Sequence, residues 1–309
     1  MERRRLGGSG LEITPVGIGT APIGSGHDWV AWWGPQDEAD SLRAIHTALD
    51  LGVNWIDTAP FYGWGRAEDI VGRALEGRRE GVYIFTKCGT VPDVERGDRM
   101  DLRPDTIGRD VEESLRRLRT DRIDLLQLHD VDPNMPIEES WGEVQRLIDE
   151  GKVRHGGISN HPAAAVERAL AVAPVAALQY QYSLLHREPE QDILPLARKH
   201  GIGVLTWAPL ASGFLADSFD PATLDRDDFR RTHRFAELDL EPVRAALRDV
   251  GARHGKSAAQ IALAWVVHQP GVTGAIVGIR NEEEARQLSD VAELALDADE
   301  LRQIASAAP

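Results

Sequence analysis

Four residues of this sequence have the types and spacing for proton transfer at a carbonyl: Asp57, Tyr62, Lys87 and His129. A tyrosine with a pKa of about 10 is a poor donor near neutral pH, and an ammonium beside it lowers that value, each unit being ~1.4 kcal/mol. Lys87 could supply the ammonium, Asp57 would hold it in place and charged, and His129 could donate a hydrogen bond to a developing alkoxide. Such a quartet suits carbonyl reduction or its reverse. Alone, an Asp or Lys at a strand end is more often part of a surface ion pair; the joint placement is what gives the set its meaning.

That placement depends on the elements around it. Short β-rich runs recur at Val16–Thr20, Val53–Thr58, Val82–Cys88, Ile123–His129, Val153–Ser159, Val175–Gln179, Ile202–Trp207 and Ala275–Gly278. Between them lie segments whose apolar residues return every three or four positions, such as Asp40–Leu51 and Thr106–Leu118. Strand and helix alternating in this way imply a parallel sheet, and eight units predict an α/β fold of the (β/α)8 TIM-barrel type. An open doubly wound sheet would show Gly-x-Gly-x-x-Gly after its first strand. Here Gly17-Ile-Gly19-Thr-Ala-Pro22 has proline where the third glycine belongs. The whole chain, 1–309, reads as one barrel domain. It carries a small hairpin over residues 3–13 at the barrel bottom, a long polar loop over 211–239, extra helices before the last strand and helices at the C-terminus. The long loop carries Arg226, Arg230, Arg231, His233 and Arg234, a basic set suited to closing over the phosphates of a bound molecule.

Barrel enzymes build their sites at the C-terminal ends of the strands. Those ends read Gly19-Thr20, Asp57 with Tyr62 just beyond, Lys87, His129, Ser159-Asn160, Gln179, Trp207 and Gly278-Ile279-Arg280. Trp29, Trp32, Trp33 and Trp64 lie in the loops after the first two strands, where they would wall a cleft suited to an aromatic aldehyde or the apolar face of a sugar. Cys88 follows Lys87 and points to the opposite side, as an inert packed thiol. Gly251-Ala-Arg-His-Gly255-Lys256-Ser257 is one residue short of a P-loop and reads as a helix break with a new N-cap at Ser257.

Composition narrows the function classes. With 35 Lys+Arg against 50 Asp+Glu, the net charge of −15 disfavours nucleic acid and anionic lipid as partners. No apolar run approaches the ~20 residues of a membrane span, the N-terminus lacks the apolar stretch of a secretory signal, and a single cysteine suits a reducing cytoplasm. No Cys/His set has metal-ligand spacing. Oligomeric state is not encoded in any motif.

The motifs also resemble those of the aldo-keto reductase superfamily. Asn54-Trp-Ile-Asp57-Thr-Ala-Pro-Phe-Tyr62-Gly, Phe85-Thr-Lys87, Asp124-Leu-Leu-Gln-Leu-His129 and Gly156-Gly-Ile-Ser159-Asn160 carry the resemblance. It continues through Gly151-Lys-Val-Arg154, Gln179-Tyr-Gln-Tyr182, Trp207-Ala-Pro-Leu210 and Ala262-Leu-Ala-Trp265, nearly end to end. In style it is nearest the bacterial branch that also resembles potassium-channel beta subunits. The resemblance implies an NAD(P)H-dependent oxidoreductase acting on a small carbonyl or sugar, with Tyr62 as general acid or base, Asp57 and Lys87 tuning it and His129 orienting the carbonyl. It implies that Ser159, Asn160 and Gln179 hold the nicotinamide carboxamide and that Trp207 stacks on the ring. Leu210, Ser212 and Gly213 would then wrap the pyrophosphate, with Gly19 and Thr20 in the cofactor set, and Gly278, Ile279, Arg280 and Glu284 at the adenosine end.

Many NADP(H)-preferring members place a lysine, an arginine or glutamine, and an asparagine where this chain has Gly278, Glu284 and Leu288. Arg280 would attract a 2′-phosphate and Glu282, Glu283 and Glu284 would oppose it, so NADP(H) is favoured and NAD(H) is the alternative. Three other readings compete: a sugar or polyol dehydrogenase preferring NAD, a cofactor-binding regulatory subunit with slow turnover, and, last, a glycoside hydrolase. The last needs a pair of flanking carboxylates, and the seventh strand ends Trp207-Ala-Pro without an acid.

Overall fold

Parallel strands cannot be joined by a tight turn, so each must be followed by a crossover whose helix covers the sheet. In the computed structural model, which describes residues 1–26, 29–93, 97–217 and 219–309, the chain meets that requirement eight times. It runs β1 (Arg4–Arg5), β2 (Glu12–Ile13), β3 (Val16–Gly19), α1 (Glu38–Asp50), β4 (Trp55–Asp57), α2 (Arg66–Ala74) and β5 (Tyr83–Cys88). Next come β6 (Thr90–Asp93), β7 (Gly97–Met100), α3 (Pro104–Leu118), β8 (Ile123–Leu128), α4 (Ile137–Asp149), β9 (Val153–Ser159) and α5 (Ala163–Val172). The last part holds β10 (Ala177–Gln181), α6 (Ile193–His200), β11 (Gly203–Trp207), α7 (Glu241–His254), α8 (Ala258–Val267), β12 (Gly274–Gly278), α9 (Glu282–Asp290) and α10 (Ala298–Ser306).

Strands β3, β4, β5, β8, β9, β10, β11 and β12 close in that order into a parallel barrel. Each of the eight runs expected from the sequence overlaps one of them, with β10 extending two residues past its run and β12 beginning one residue before its own, so the (β/α)8 expectation stands. The helix ends follow their local chemistry. Pro104 occupies the first turn of α3, and Gly255 closes α7 in a left-handed conformation. Ser257 caps α8 in a reciprocal box with Gln260, the role read for it against a P-loop.

Two apolar layers result. The larger lies between barrel and helices and takes in Cys88, Ile107, Trp141, Val144 and Trp265. The smaller fills the barrel with Trp55, Phe85, Leu125, Ala177, Leu205 and Ile276, and the β1–β2 segment adds Leu6, Leu11 and Ile13 to it. Gly7 in that segment lies against the backbone of Ala176, Gly201 and Gly203, at the N-terminal ends of β10 and β11.

The antiparallel β6–β7 hairpin, paired from Thr90 with Met100 to Asp93 with Gly97, is absent from the sequence reading. Thr90-Val-Pro-Asp and Gly97-Asp-Arg-Met lack alternating apolar residues, and Pro92 argues against a strand. Among the described residues no helix is long and apolar enough to cross a membrane.

Candidate active site

A period of two places residues i and i+2 of a strand on one face. In six of the eight barrel strands an inward apolar residue is followed two positions on by a residue that reaches the C-terminal mouth: Trp55 and Asp57, Phe85 and Lys87, Leu125 and Gln127, Ala177 and Gln179, Leu205 and Trp207, Ile276 and Gly278. The register aligns them, with Lys87 opposite Gln127 and Gln179 opposite Ser159. The packed interior is thus a floor, and the next layer is chemical.

At its centre Lys87 Nζ donates to Asp57 Oδ1 at 2.5 Å, to the carbonyl of Thr58 at 3.0 Å and to the Tyr62 hydroxyl at 3.1 Å. Both charged side chains are sealed from solvent, at 1% and 2% exposure. The second oxygen of Asp57 accepts from Gln179 Nε2 at 2.8 Å and Gln127 Nε2 at 3.2 Å, and Gln179 also donates to Gln127 Oε1 at 2.9 Å. Both oxygens of the carboxylate accept hydrogen bonds, which offsets the cost of holding the pair away from water. Gln127 belongs to this network and was passed over in the sequence, although it stands two residues before His129 on the inward face.

Burial would push the Lys87 ammonium down, but Asp57 and Tyr62 outweigh it and hold its pKa above the ordinary lysine value. Tyr62 goes the other way from the sequence expectation. Burial pushes the phenol above its usual pKa and the attraction of Lys87 only partly offsets it, so Tyr62 carries its proton. His129 is held well below the ordinary histidine range, first by burial and then by Lys87, and is neutral. Its Nδ1 meets Thr90 Oγ1 at 3.0 Å, and Phe61 packs edge-on at 5.9 Å.

Asn160 joins the ends of β8 and β11. Its Nδ2 donates to the carbonyl of His129 at 3.1 Å, its Oδ1 accepts from Trp207 Nε1 at 3.1 Å, and its backbone is left-handed at φ 58°. The Trp207 ring is therefore fixed as a flat wall. Thr20 donates to the carbonyl of Asp57 at 3.1 Å.

Above this layer lies a cavity of about 1030 Å³, at the top of the range of ordinary small-ligand pockets and roomy enough for a dinucleotide with a small substrate. Gly19, Thr20, Asp57, Tyr62, His129, Ser159, Asn160, Gln179, Trp207, Leu210, Ser212, Gly213, Gly278, Arg280 and Glu284 all line it, with Lys87 beneath. Trp29 and Trp33 do as well. Trp64 does not: consecutive left-handed residues at Gly63, Trp64 and Gly65 turn its indole into a separate shallow depression beside Arg66 and Arg119. Phe61, Phe229, Thr90 and Met100 stand in the wall instead. Ile279 is also displaced from its expected role, its side chain being fully buried in the outer core.

The loop over 211–239 is a series of short 3-10 turns lying across the cavity, to which it contributes Phe219, Leu224, Phe229, Arg230 and His233. Phe229 packs on Trp33 at 4.7 Å and donates its backbone N–H to the carbonyl of Trp32 at 3.4 Å. Arg230 is clamped by Asp228 at 2.6 Å and stands over the Trp33 ring at 5.1 Å. Arg231 and Arg234 turn instead to the Leu224 carbonyl and to His186, and Arg226 is exposed.

At the far end the Arg280 guanidinium is held by neutral groups, Gln36 Oε1 at 2.8 Å and the Pro35 carbonyl at 2.5 Å. Glu284 spends its carboxylate on the Arg280 backbone N–H at 2.7 Å and on Asn281 at 3.1 Å, while Glu282 faces Arg43 and Glu283 accepts from Gln287. A dinucleotide fits what is present. Ser159 Oγ is buried without a partner among the described residues, and Ala208, Ala211, Ser212 and Gly213, beside the cavity, all adopt left-handed backbone. Among the described residues no group of three or more His, Cys, Asp or Glu could hold a metal.

Comparison with known proteins agrees with this geometry. The family model described as "Aldo/keto reductase family" matches residues 15–309. Aldo-keto reductase YhdN of Bacillus subtilis (strain 168) is 35% identical, over 98% of this chain and 92% of its own length. The solved glycerol dehydrogenase of Gluconobacter oxydans superposes with a TM-score of 0.87 at 35% identity, covering 99% of this chain and 94% of that one. An aldo/keto reductase of Klebsiella pneumoniae, solved with NADP and acetate, gives 0.77 at 27% identity, covering 100% of this chain and 96% of that one. This chain is an oxidoreductase and belongs to the aldo/keto reductase family.

Proposed function

We propose that the protein transfers a hydride between NADP(H) and a small aldehyde or ketone, or the corresponding alcohol, with Tyr62 as the proton donor and acceptor. The observation that carries this reading is the buried junction at which Lys87 Nζ meets Asp57, the Thr58 carbonyl and the Tyr62 hydroxyl. The hydride is what the nicotinamide supplies when bound.

The chain's own residues do the rest. Ser159 and Gln179 would hold the carboxamide, and Trp207, locked by Asn160, would set the plane of the ring. The Tyr62 hydroxyl delivers its proton to the carbonyl oxygen as charge develops there. Lys87 then stabilises the phenolate left behind, and the buried Asp57 keeps Lys87 charged through the cycle. His129, neutral, donates to the same oxygen and aligns it. The aromatic wall of Trp29, Trp33, Phe61 and Phe229 excludes water from the reacting centre.

Preference for NADP(H) is supported by Arg280, whose guanidinium among the described residues is hydrogen-bonded to the neutral Gln36 and Pro35, and by two of the three nearby glutamates having other partners. The NADP-bound Klebsiella relative supports it too. The Gluconobacter relative, a glycerol dehydrogenase at 35% identity, favours polyol oxidation as a second reading. Initial rates of activated-aldehyde reduction with NADPH and NADH, run beside glycerol oxidation with both oxidised cofactors, test the proposal. Faster turnover with NADPH is expected, and equal or faster turnover with NADH would remove the assigned preference. Cofactor binding with no turnover of any carbonyl or polyol would favour a regulatory subunit.

A further inference from the structure

A histidine that is neutral can donate to a carbonyl from only one ring nitrogen, and something must decide which one carries the proton. In this structure Nδ1 of His129 is engaged by Thr90 Oγ1 at 3.0 Å, which leaves Nε2 for a ligand in the cavity that the ring lines. We propose that Thr90 is a positioning residue: its hydroxyl donates to Nδ1, fixes His129 as the Nε2–H tautomer, and so makes the ring a hydrogen-bond donor toward the substrate oxygen. The inference rests on the role given to His129 above.

The chemistry of the hydroxyl decides the direction of the bond. Thr90 has one proton and, among the described residues, two neighbours able to accept it, His129 Nδ1 at 3.0 Å and Met100 Sδ at 3.4 Å. A thioether is a weak acceptor and an unprotonated imidazole nitrogen a good one. If Nδ1 carried the proton, Thr90 would have to accept from it and leave its own proton to the sulfur. The ring would then turn a lone pair on Nε2 toward the lone pairs of the carbonyl. Neutrality of His129 follows from its burial and from Lys87 nearby, so the doubly protonated ring that would donate from both nitrogens is not the resting form.

Thr90 is itself held from several sides. Gly89 takes a left-handed φ of 94°, and a Cβ there would lie 2.2 Å from Leu102, so only glycine makes this turn. The Gly89 N–H donates to Asp110 Oδ2 at 2.8 Å and its carbonyl accepts from Asp101 at 2.7 Å. Register places Met100 directly across the hairpin from Thr90. The β6–β7 hairpin, which no strand pattern announced, thus brings the hydroxyl to the ring.

The test is 15N NMR of the full chain carrying ring-labelled histidine at neutral pH, with the His129 signals assigned by their loss in His129→Asn. Wild type is expected to show Nδ1 as the unprotonated, imine-type nitrogen and Nε2 protonated. Thr90→Val keeps the branched shape and removes the donor. It is expected to give a mixed or inverted tautomer and to lower kcat about ten-fold with KM for NADPH changed less than about two-fold, and Thr90→Ser is expected to restore both. Wild type with a protonated Nδ1 would overturn the proposal, as would a Thr90→Val protein with an unchanged ring spectrum. Should Thr90→Val fold poorly, the wild-type spectrum and the serine variant still decide. Because the spectrum is read without turnover, it separates failure of this inference from failure of the proposed reaction.

Discussion

Replacing Asp57 with asparagine removes the carboxylate that, among the described residues, pairs with an ammonium itself 1% exposed. Breaking a buried pair by removing one partner costs about 3–5 kcal/mol, because the remaining charge is left uncompensated. Asparagine also sets an amide against Gln127 and Gln179, whose Nε2 groups both donate to Asp57 Oδ2. Against a typical stability of about 5–15 kcal/mol the variant still folds.

The pH dependence has a definite sign. In wild type the folded pKa of Lys87 lies above its ordinary value, so its contribution is fully present below the unfolded lysine pKa of about 10.4 and is lost only in stronger alkali. Without Asp57, burial dominates and the folded pKa drops below the unfolded one. The deficit of Asp57→Asn relative to wild type is then largest at neutral pH and narrows as pH rises toward about 10, by up to ~1.4 kcal/mol per unit. Urea unfolding followed by fluorescence of the eight tryptophans, for both proteins from pH 7 to pH 10, measures this difference directly. A deficit under about 1 kcal/mol, or one that stays constant to pH 10, would refute the reasoning.

Other expectations are independent of that one. Burial pushes the Asp110 carboxyl up to about 6, so its contribution is present below the unfolded pKa of about 3.9 and is lost as pH rises through 6; Asp110→Asn is expected to leave stability near pH 4 unchanged and to raise it by roughly 2 kcal/mol at pH 8 in the same assay. Arg280→Met is expected to raise KM for NADPH about ten-fold and to leave KM for NADH within about two-fold; equal effects on both would remove Arg280 from phosphate recognition. Cys88 is 1% exposed and burial holds its thiol well above the ordinary range, so a thiol reagent is expected to leave native protein unmodified and to react after denaturation.

The barrel was legible because its signal is distributed. Each strand carries an apolar run and each crossover an apolar stripe at helical spacing, and eight repeats of that pair admit few architectures. The mouth residues were legible for the same reason, since Asp57, Lys87, Gln179 and Trp207 each follow an inward apolar residue by two positions. Gln127 obeys the same rule and could have been found by applying it to β8. Thr90 could not, because it reaches His129 through a left-handed glycine and a hairpin whose residues carry no alternation. Trp64 and Ile279 were misplaced for a related reason. Which way a side chain leaves a turn depends on backbone angles, and composition does not record them. The direction of the Tyr62 shift likewise depends on burial, which outweighs the neighbouring charge only once the cavity is closed.

The central claim is that Tyr62 moves the proton. Its hydroxyl receives a hydrogen bond from Lys87, which keeps Asp57 and the Thr58 carbonyl when that hydroxyl is removed, so Tyr62→Phe leaves the fold and the cofactor pocket in place. The measurement is kcat for an activated aldehyde with NADPH in wild type and Tyr62→Phe, alongside NADPH affinity by fluorescence quenching. The account predicts a fall in kcat of at least about 100-fold with affinity within about two-fold, and a variant turning over within about three-fold of wild type would contradict it.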